Sequence, residues 1–454
     1  MKLKLIFIIG CLQAVFCSCS KEFLEEKPST SIATPNSLEI LTKLLDNELQ
    51  NTSTSYLEVL SSDEYYFAEG TLLLDVVQRN GYLWKPDLYE GTQIVNDWNL
   101  PYSGVRNANV ALEEIQKGLN AATSKEKEFL RSWALFVRAR SFFRLVETFS
   151  PVYSKTTANT DLGVPLKLTP NVDEIKQRST VQQTYDQILR DLDTALPGLN
   201  EDVDITSPNR PSKAATYSLL ARVYMAMSDY ENANKAAGEA LKIHNKLVNF
   251  NSIQLPNNTP FKNHVDEIIY ASHISGSVIP LPSLFPYICI DSALYKGYDE
   301  NDLRKRVYFK LNSNGKPNLN QTSPYSIIAF SGFTTSELYL IKAECEVRSN
   351  NVTKSIEYLN LLLANRYKTG TYQPITSIGS ADLLDKILLE RRKELIFRGV
   401  RWGDLKRLNL EGRNITLTRK FNGQTYTLPP NSPLYVFPIP DQEVSRSSLQ
   451  QNKR

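Results

Sequence analysis

From residue 98 onward, apolar side chains recur every three or four residues over stretches too long for strands. Val105, Ala108, Leu112 and Ile115 fall at i, i+3, i+7 and i+10. Leu135, Ala139, Phe142, Val146 and Phe149 follow at i, i+4, i+7, i+11 and i+14, and Val181, Tyr185, Ile188, Leu192 and Ala195 repeat that spacing behind Ser179 or Thr180 as an N-cap. This period places apolar groups on one face of a helix, so packed amphipathic helices are the expected building material. In Tyr217–Ala240, Leu220, Ala221 and Tyr224 line one helix, and Ala233, Ala237 and Ala240 line the next. The Ser228–Asp229 link is short enough to force a hairpin, and the alanines allow close approach, as in a tetratricopeptide-type pair. A second pair is expected at Glu337–Arg348 and Val352–Arg366. The fold class expected is all-α, with tetratricopeptide-like pairs as a scaffold over 98–245 and 336–408.

Between the pairs, the stretch 247–335 is rich in Pro, Asn, Ser and aromatics and reads as a loop-rich insertion carrying short strands, such as Glu267–Ser272. From Asn409 to Arg454 the chain again reads as loop, with a hairpin through Asn422–Gly423.

At the N-terminus, Lys2 and Lys4 precede an apolar run from Leu5 to Val15, shorter than the roughly 20 residues a membrane-spanning helix needs. A basic start, a short apolar stretch and a small residue describe a signal peptide over 1–18. Ser18 is the small residue, and Cys19 follows the cut as the thiol that a bacterial lipoprotein signal acylates. Phe16 stands where Leu is usual at −3. Residues 19–36 then form a polar tether, leaving 37–454 as a single domain. Cys289 and Cys345 could make one disulfide or none, and both sit in apolar stretches that favour buried core thiols.

Composition narrows the function. The net charge of +3 falls to +1 without Lys2 and Lys4, which gives no footprint for nucleic acid. There is no HExxH, GxSxG, Walker loop or GxGxxG, and His244, His264 and His273 are scattered, so no metal, cofactor or catalytic site is expected. Glu390 and Glu394 share a helix face with Arg391, Arg392 and Arg398 in reach. Paired carboxylates can cleave glycosides, but charges laced at helical spacing more commonly knit helices together, with Trp402 as an anchor and Gly399 ending the helix. By contrast, 23 Tyr, 18 Phe and 4 Trp suit a surface that stacks on sugar rings.

The string ERRKELIFRGVRWGDLKRL at Glu390–Leu408 resembles the C-terminal signature of the SusD/RagB family of nutrient-binding outer-membrane lipoproteins. The resemblance extends in order through CSKEFLEEKP at Cys19–Pro28, WNLPYSGVRNANVALEEI at Trp98–Ile115 and FVRARSFFRLVETFSPVY at Phe136–Tyr153. It continues through LGVPL at Leu162–Leu166, RPSKAATYSLLARVYMAMSDYENA at Arg210–Ala233 and DLR at Asp302–Arg304, and it ends with LYVFPIPDQEV at Leu434–Val444. It implies a non-enzymatic protein, lipid-anchored through Cys19 on the outer membrane and facing the cell exterior. Such a protein captures a glycan or other nutrient and delivers it to a TonB-dependent, SusC-like porin. The alternatives are a helical-repeat adaptor binding only protein partners, and a secreted glycoside hydrolase. Loop-borne aromatic platforms are implied, and two clusters qualify: Tyr65, Tyr66, Phe67, Tyr82 and Trp84, and Phe285, Tyr287, Tyr295 and Tyr298. Burial in the core is the commoner fate of any single ring among them.

Overall fold

A computed structural model describes residues 37–454 apart from 70, 72–74, 93, 120–121, 255–264, 275–286 and 321–329. The signal, Cys19, the tether, His264 and Phe285 lie outside the described residues. Among the described residues the principal helices are α1 (Asn96–Gly118), α2 (Ser124–Phe149), α3 (Val181–Ala195), α4 (Lys213–Ala226), α5 (Tyr230–Ile243), α6 (Thr335–Arg348), α7 (Val352–Ala364), α8 (Ser380–Glu394) and α9 (Arg401–Leu410). The fold is mainly helical, and the strands among the described residues form two-stranded sheets.

Helix α2 is the central element. Thr123 and Glu126 cap its start reciprocally, and from Leu130 to Phe149 nearly every side chain is buried. Helices α1 and α3 pack along it. Its arginines serve the interior: Arg140 donates to the carbonyls of Asn51, Thr52 and Ser53, which end the short helix Glu48–Asn51. An uncapped helix end of this kind is costly to bury, so a guanidinium with several donors is a fitting cap.

The α4–α5 hairpin turns through Ser228, at φ 54°, into Asp229, whose carboxylate accepts the Asn232 amide. Ala221, Ala233, Ala237 and Ala240 are fully buried where the two helices meet. Helices α6 and α7 repeat the arrangement, and α5 packs on α6 to join the pairs. The boundaries read from spacing fall within a few residues of these elements.

Beneath α8 and α9 lies a lattice of buried charge. Arg304 pairs with Asp302, Glu390 and Glu394, and Arg366 joins Glu394 to Glu267. Arg391 reaches Asp404, Arg407 reaches Glu344 and Arg222 reaches Glu337. Burial would raise the Glu394 carboxyl, but Arg366 and Arg304 carry it well below the usual range. The laced charges of the signature string therefore knit helices together. Gly399, at φ 69°, separates α8 from α9. Trp402 is buried beyond it, stacked on Phe437 at 5.6 Å with its indole N–H on the Tyr435 carbonyl.

The strands after residue 247 pair with distant segments. His273–Ile274 runs parallel to Ser53–Thr54, Ile268–Tyr270 pairs with Phe333–Thr334, and Ile288–Ile290 pairs with Tyr65–Phe67. The expected hairpin is present as Leu417–Phe421 against Gln424–Leu428, with Asn422 and Gly423 at positive φ. Against the loop expected at the C-terminus, Asp441–Ser447 is a helix. Cys289 and Cys345 are both free and buried.

Candidate functional site

The two aromatic clusters read from sequence are more than 200 residues apart, yet one antiparallel ladder joins them. Its register pairs Tyr65 with Ile290, Tyr66 with Cys289 and Phe67 with Ile288. At its ends the Ala68 amide donates to the Tyr287 carbonyl (2.7 Å) and the Asp291 amide to the Glu64 carbonyl (2.9 Å). Because side chains alternate across a strand, Tyr65 and Phe67 enter the core while Tyr66 stands half-buried on the outer face.

Five of the expected platform residues, Tyr65, Phe67, Tyr82, Trp84 and Tyr298, are core instead. Tyr65 and Tyr82 are buried 5.7 Å apart around Phe67, and Trp84, 4% exposed, donates its indole N–H to the Ser61 carbonyl. The physical reason is Arg419, whose guanidinium lies 4.0 Å from the Tyr82 ring centre and 4.5 Å from that of Trp84. Arg419 also donates to the carbonyls of Leu60, Ser62 and Tyr82. A cation packed on ring faces and saturated by carbonyls closes that space to a ligand. Tyr298 is likewise buried, with its hydroxyl on the Lys393 carbonyl (2.7 Å) and Phe309 at 5.2 Å.

Tyr66, Tyr287 and Tyr295 remain at the surface. Tyr287 is 36% exposed and its ring lies 6.3 Å from Phe67. The Tyr66 phenol, raised by burial, lies beside Ser292 and the Cys289 thiol. Tyr295 packs edge-on against Phe309 (5.4 Å), with the Lys305 ammonium 5.4 Å from its ring centre. Asn312 and Lys316 approach the same thiol from the hairpin Phe309–Leu311/Pro317–Leu319. Tyr66 thus stands on one strand of the ladder, Tyr287 at the head of the other and Tyr295 on the helix that follows it, accompanied by hydroxyl, amide and ammonium groups of the kind that suit the flat C–H faces and hydroxyls of a sugar.

This patch is fixed from below. Asp291 caps the helix Ser292–Lys296 by accepting the Leu294 amide, and Arg392 bridges Asp291 to Asp63. Arg401 holds Asp63 through two bonds of 2.7 and 2.8 Å. Burial opposes ionisation of Asp63, but Arg401 and Arg392 hold its carboxyl well below the usual range. Among the described residues Glu64 has no such partner within bonding distance: burial pushes it up to about 7, and the Phe397 amide (2.9 Å) offsets part of that. Glu390 and Glu394 are both spent on arginines. Among the described residues no cluster of His, Cys, Asp and Glu could hold a metal ion, and no helix is long and apolar enough to cross a membrane.

Two family models match the chain: one, SusD-like and described as starch-binding and associating with the outer membrane, over residues 22–225, and one described as the SusD family over residues 290–453. A SusD-like protein P38 from Formosa agariphila is 26% identical over 397 residues, covering 69% of this chain and 72% of that protein. Among solved structures, a SusD superfamily protein from Bacteroides thetaiotaomicron superposes with a TM-score of 0.73 at 22% identity, over 92% of this chain and 100% of that one. A putative sugar binding protein from Bacteroides vulgatus gives 0.73 at 21% identity, covering 93% and 99%. Surface glycan-binding protein A from Bacteroides uniformis gives 0.69 at 17% identity, covering 91% and 99%. At these identities the structural likenesses establish the fold.

Proposed function

The chain belongs to the SusD/RagB family of carbohydrate-binding, outer-membrane-associated proteins that bind without catalysis, and from that premise we propose that it captures oligosaccharide at the cell surface and delivers it to a TonB-dependent, SusC-like porin. The observation that carries the binding role is the braced ladder that pairs two distant segments and leaves Tyr66, Tyr287 and, on the helix after it, Tyr295 partly exposed. Open rings of this kind bind shallowly. Affinity in the free protein is therefore expected at roughly micromolar to millimolar Kd, which suits release to a second protein. A porin closing against the patch would add contacts, so retention should be tighter in the complex. Anchoring through Cys19 is supported by the signal pattern and the polar stretch that follows it. More than one acyl chain is needed for stable attachment.

The test is calorimetric titration of the full chain against a panel of polysaccharides, together with affinity purification from outer membranes. A glycan that binds, and a porin that co-purifies, are the expected results. A chain that retains no glycan and no porin, and enriches only other proteins, would overturn the proposal in favour of a protein adaptor. For the anchor, Cys19→Ala should leave a folded protein that no longer pellets with outer membrane.

A further inference from the structure

A cavity of about 430 Å³ opens between the first half of α1, the loop 165–176 and the helix Asp441–Ser447. Small-molecule sites generally enclose roughly 300–1,000 Å³, so it has room for a sugar unit. Trp98, Tyr102 and Arg106 follow one another at i, i+4 and i+8 and therefore share a face of α1. The Trp98 and Tyr102 rings lie 4.8 Å apart, and the half-buried Tyr102 donates its hydroxyl to the Pro165 carbonyl (2.9 Å).

The loop opposite is held rigidly. Asn109 donates to the carbonyls of Lys167 and Thr169, both at 3.0 Å. Asn109 is itself held by Arg138, which forms two bonds of 2.8 and 2.7 Å to the buried Asp191. At the far end Arg178 donates to the carbonyls of Leu162, Gly163 and Phe149. This bracing fixes the loop backbone at Lys167 before any ligand arrives, so the ordering cost of binding is confined to its side chain.

Charge in the cavity is unbalanced. Arg106, Lys167, Lys176 and Glu443 line it, and Lys176 is paired with Glu174. Among the described residues the side chains of Arg106 and Lys167 make no ion pair or hydrogen bond. Elsewhere the arginines of this chain are mostly spent on carboxylates or carbonyls, so an open guanidinium beside a phenol, with the Lys167 ammonium on the loop opposite, is a receptor for an anion. The aromatic wall adds a preference for a ring.

We propose that this cavity is a second binding pocket, taking a sugar ring that bears an anionic group, with Arg106 and Lys167 receiving the charge and Tyr102 the ring. The sugar in this proposal rests on the carbohydrate-binding reading above, whereas the charge rests on the cavity alone. Full-length protein is titrated calorimetrically with trigalacturonate, galactose 6-sulfate and galactotriose. At least one anionic sugar should bind and galactotriose should not occupy this pocket. Which of the two acidic ligands binds identifies carboxylate or sulfate ester as the preferred group. Arg106→Gln should weaken that ligand about tenfold, the effect of losing one charge-assisted contact. Lys167→Gln should weaken it several-fold, and Glu443→Gln should tighten it by relieving repulsion. The proposal is overturned if the Arg106 and Lys167 variants, native by circular dichroism, bind acidic sugars as the parent does. It is also overturned if inorganic sulfate displaces them at equal concentration. A chain that binds a neutral glycan through Tyr287 but no acidic one overturns this proposal alone, whereas one that binds no sugar overturns the carbohydrate reading as well.

Discussion

Arg304 touches three carboxylates and no solvent, while Arg106, on the same helical scaffold, touches none and faces an open cavity. Tyr298 and Tyr287 differ in exposure: one is sealed against Phe309 and the Lys393 carbonyl, the other stands at the surface beside Phe67. The region under α8 and α9 and the ligand-facing surfaces thus draw on the same residue types. Exposure, and for the arginines what the guanidinium is bonded to, separates scaffold from receptor. Residue identity is a poor guide to role here, and the partner inventory is a good one.

The sharpest way to break this contrast is to unpair the lattice. Arg304→Ala would leave Asp302, Glu390 and Glu394 buried without their shared cation. Losing one partner of a buried pair costs about 3–5 kcal/mol, read as an early urea midpoint, although Lys393 still reaches Asp302 and Glu390 and Arg366 still holds Glu394. A variant melting like the parent would show the lattice to be dispensable. Trp402→Ala should cost about 3–5 kcal/mol, as for other large buried aromatics, and the folded fraction should keep its ligand. If it melts normally but cannot bind, Trp402 belongs with the receptor residues.

Glu64 tests the boundary, since it lies beneath the patch without a bonded cation. Its carboxyl sits at about 7 in the folded chain against 4.5 as the ordinary value. Below 4.5 both states hold the proton, between 4.5 and 7 only the folded state does, and above 7 neither does. Its contribution therefore erodes stability as pH rises from 4.5 to 7. Glu64→Gln, which keeps an acceptor for the Phe397 amide, should be more stable than the parent by about 2–3 kcal/mol at pH 8 and nearly equal to it at pH 4. Equal stability at both pH values would mean that water or Arg401 already neutralises this group.

The smallest effects belong to the open rings. Tyr287→Ala and Tyr66→Ala should each weaken glycan binding by about 1 kcal/mol, with thermal midpoints unchanged. Tyr82→Ala and Trp84→Ala should instead lower the midpoint. If all four behave alike, the division between core and surface rings fails.

Much of the scaffold was legible because its information is local. Spacing along α2, α3 and the α4–α5 hairpin is decided within a few turns, and Asn422–Gly423 carries its own turn chemistry. The fate of Tyr65, Tyr82 and Trp84 was not legible, because Arg419 seals them from more than 300 residues away. The helix Asp441–Ser447 was hidden by its short length and polar sequence. Trp98, Tyr102 and Arg106 were in view, but the stripe reads as one more scaffold face until the loop opposite is in place. A cation at i+8 on an aromatic stripe was the available signal.

The ladder between Tyr65–Phe67 and Ile288–Ile290 has a consequence for how binding preference changes over generations or in engineering. Neither segment can be exchanged alone, since each supplies the backbone bonds that hold the other in register. A graft of one loop from a relative would bring half a sheet with no partner. Recombination between the two stretches should therefore be poorly tolerated, and a new specificity should arise either by point changes at Tyr66, Tyr287 and their neighbours or by moving both segments as a unit.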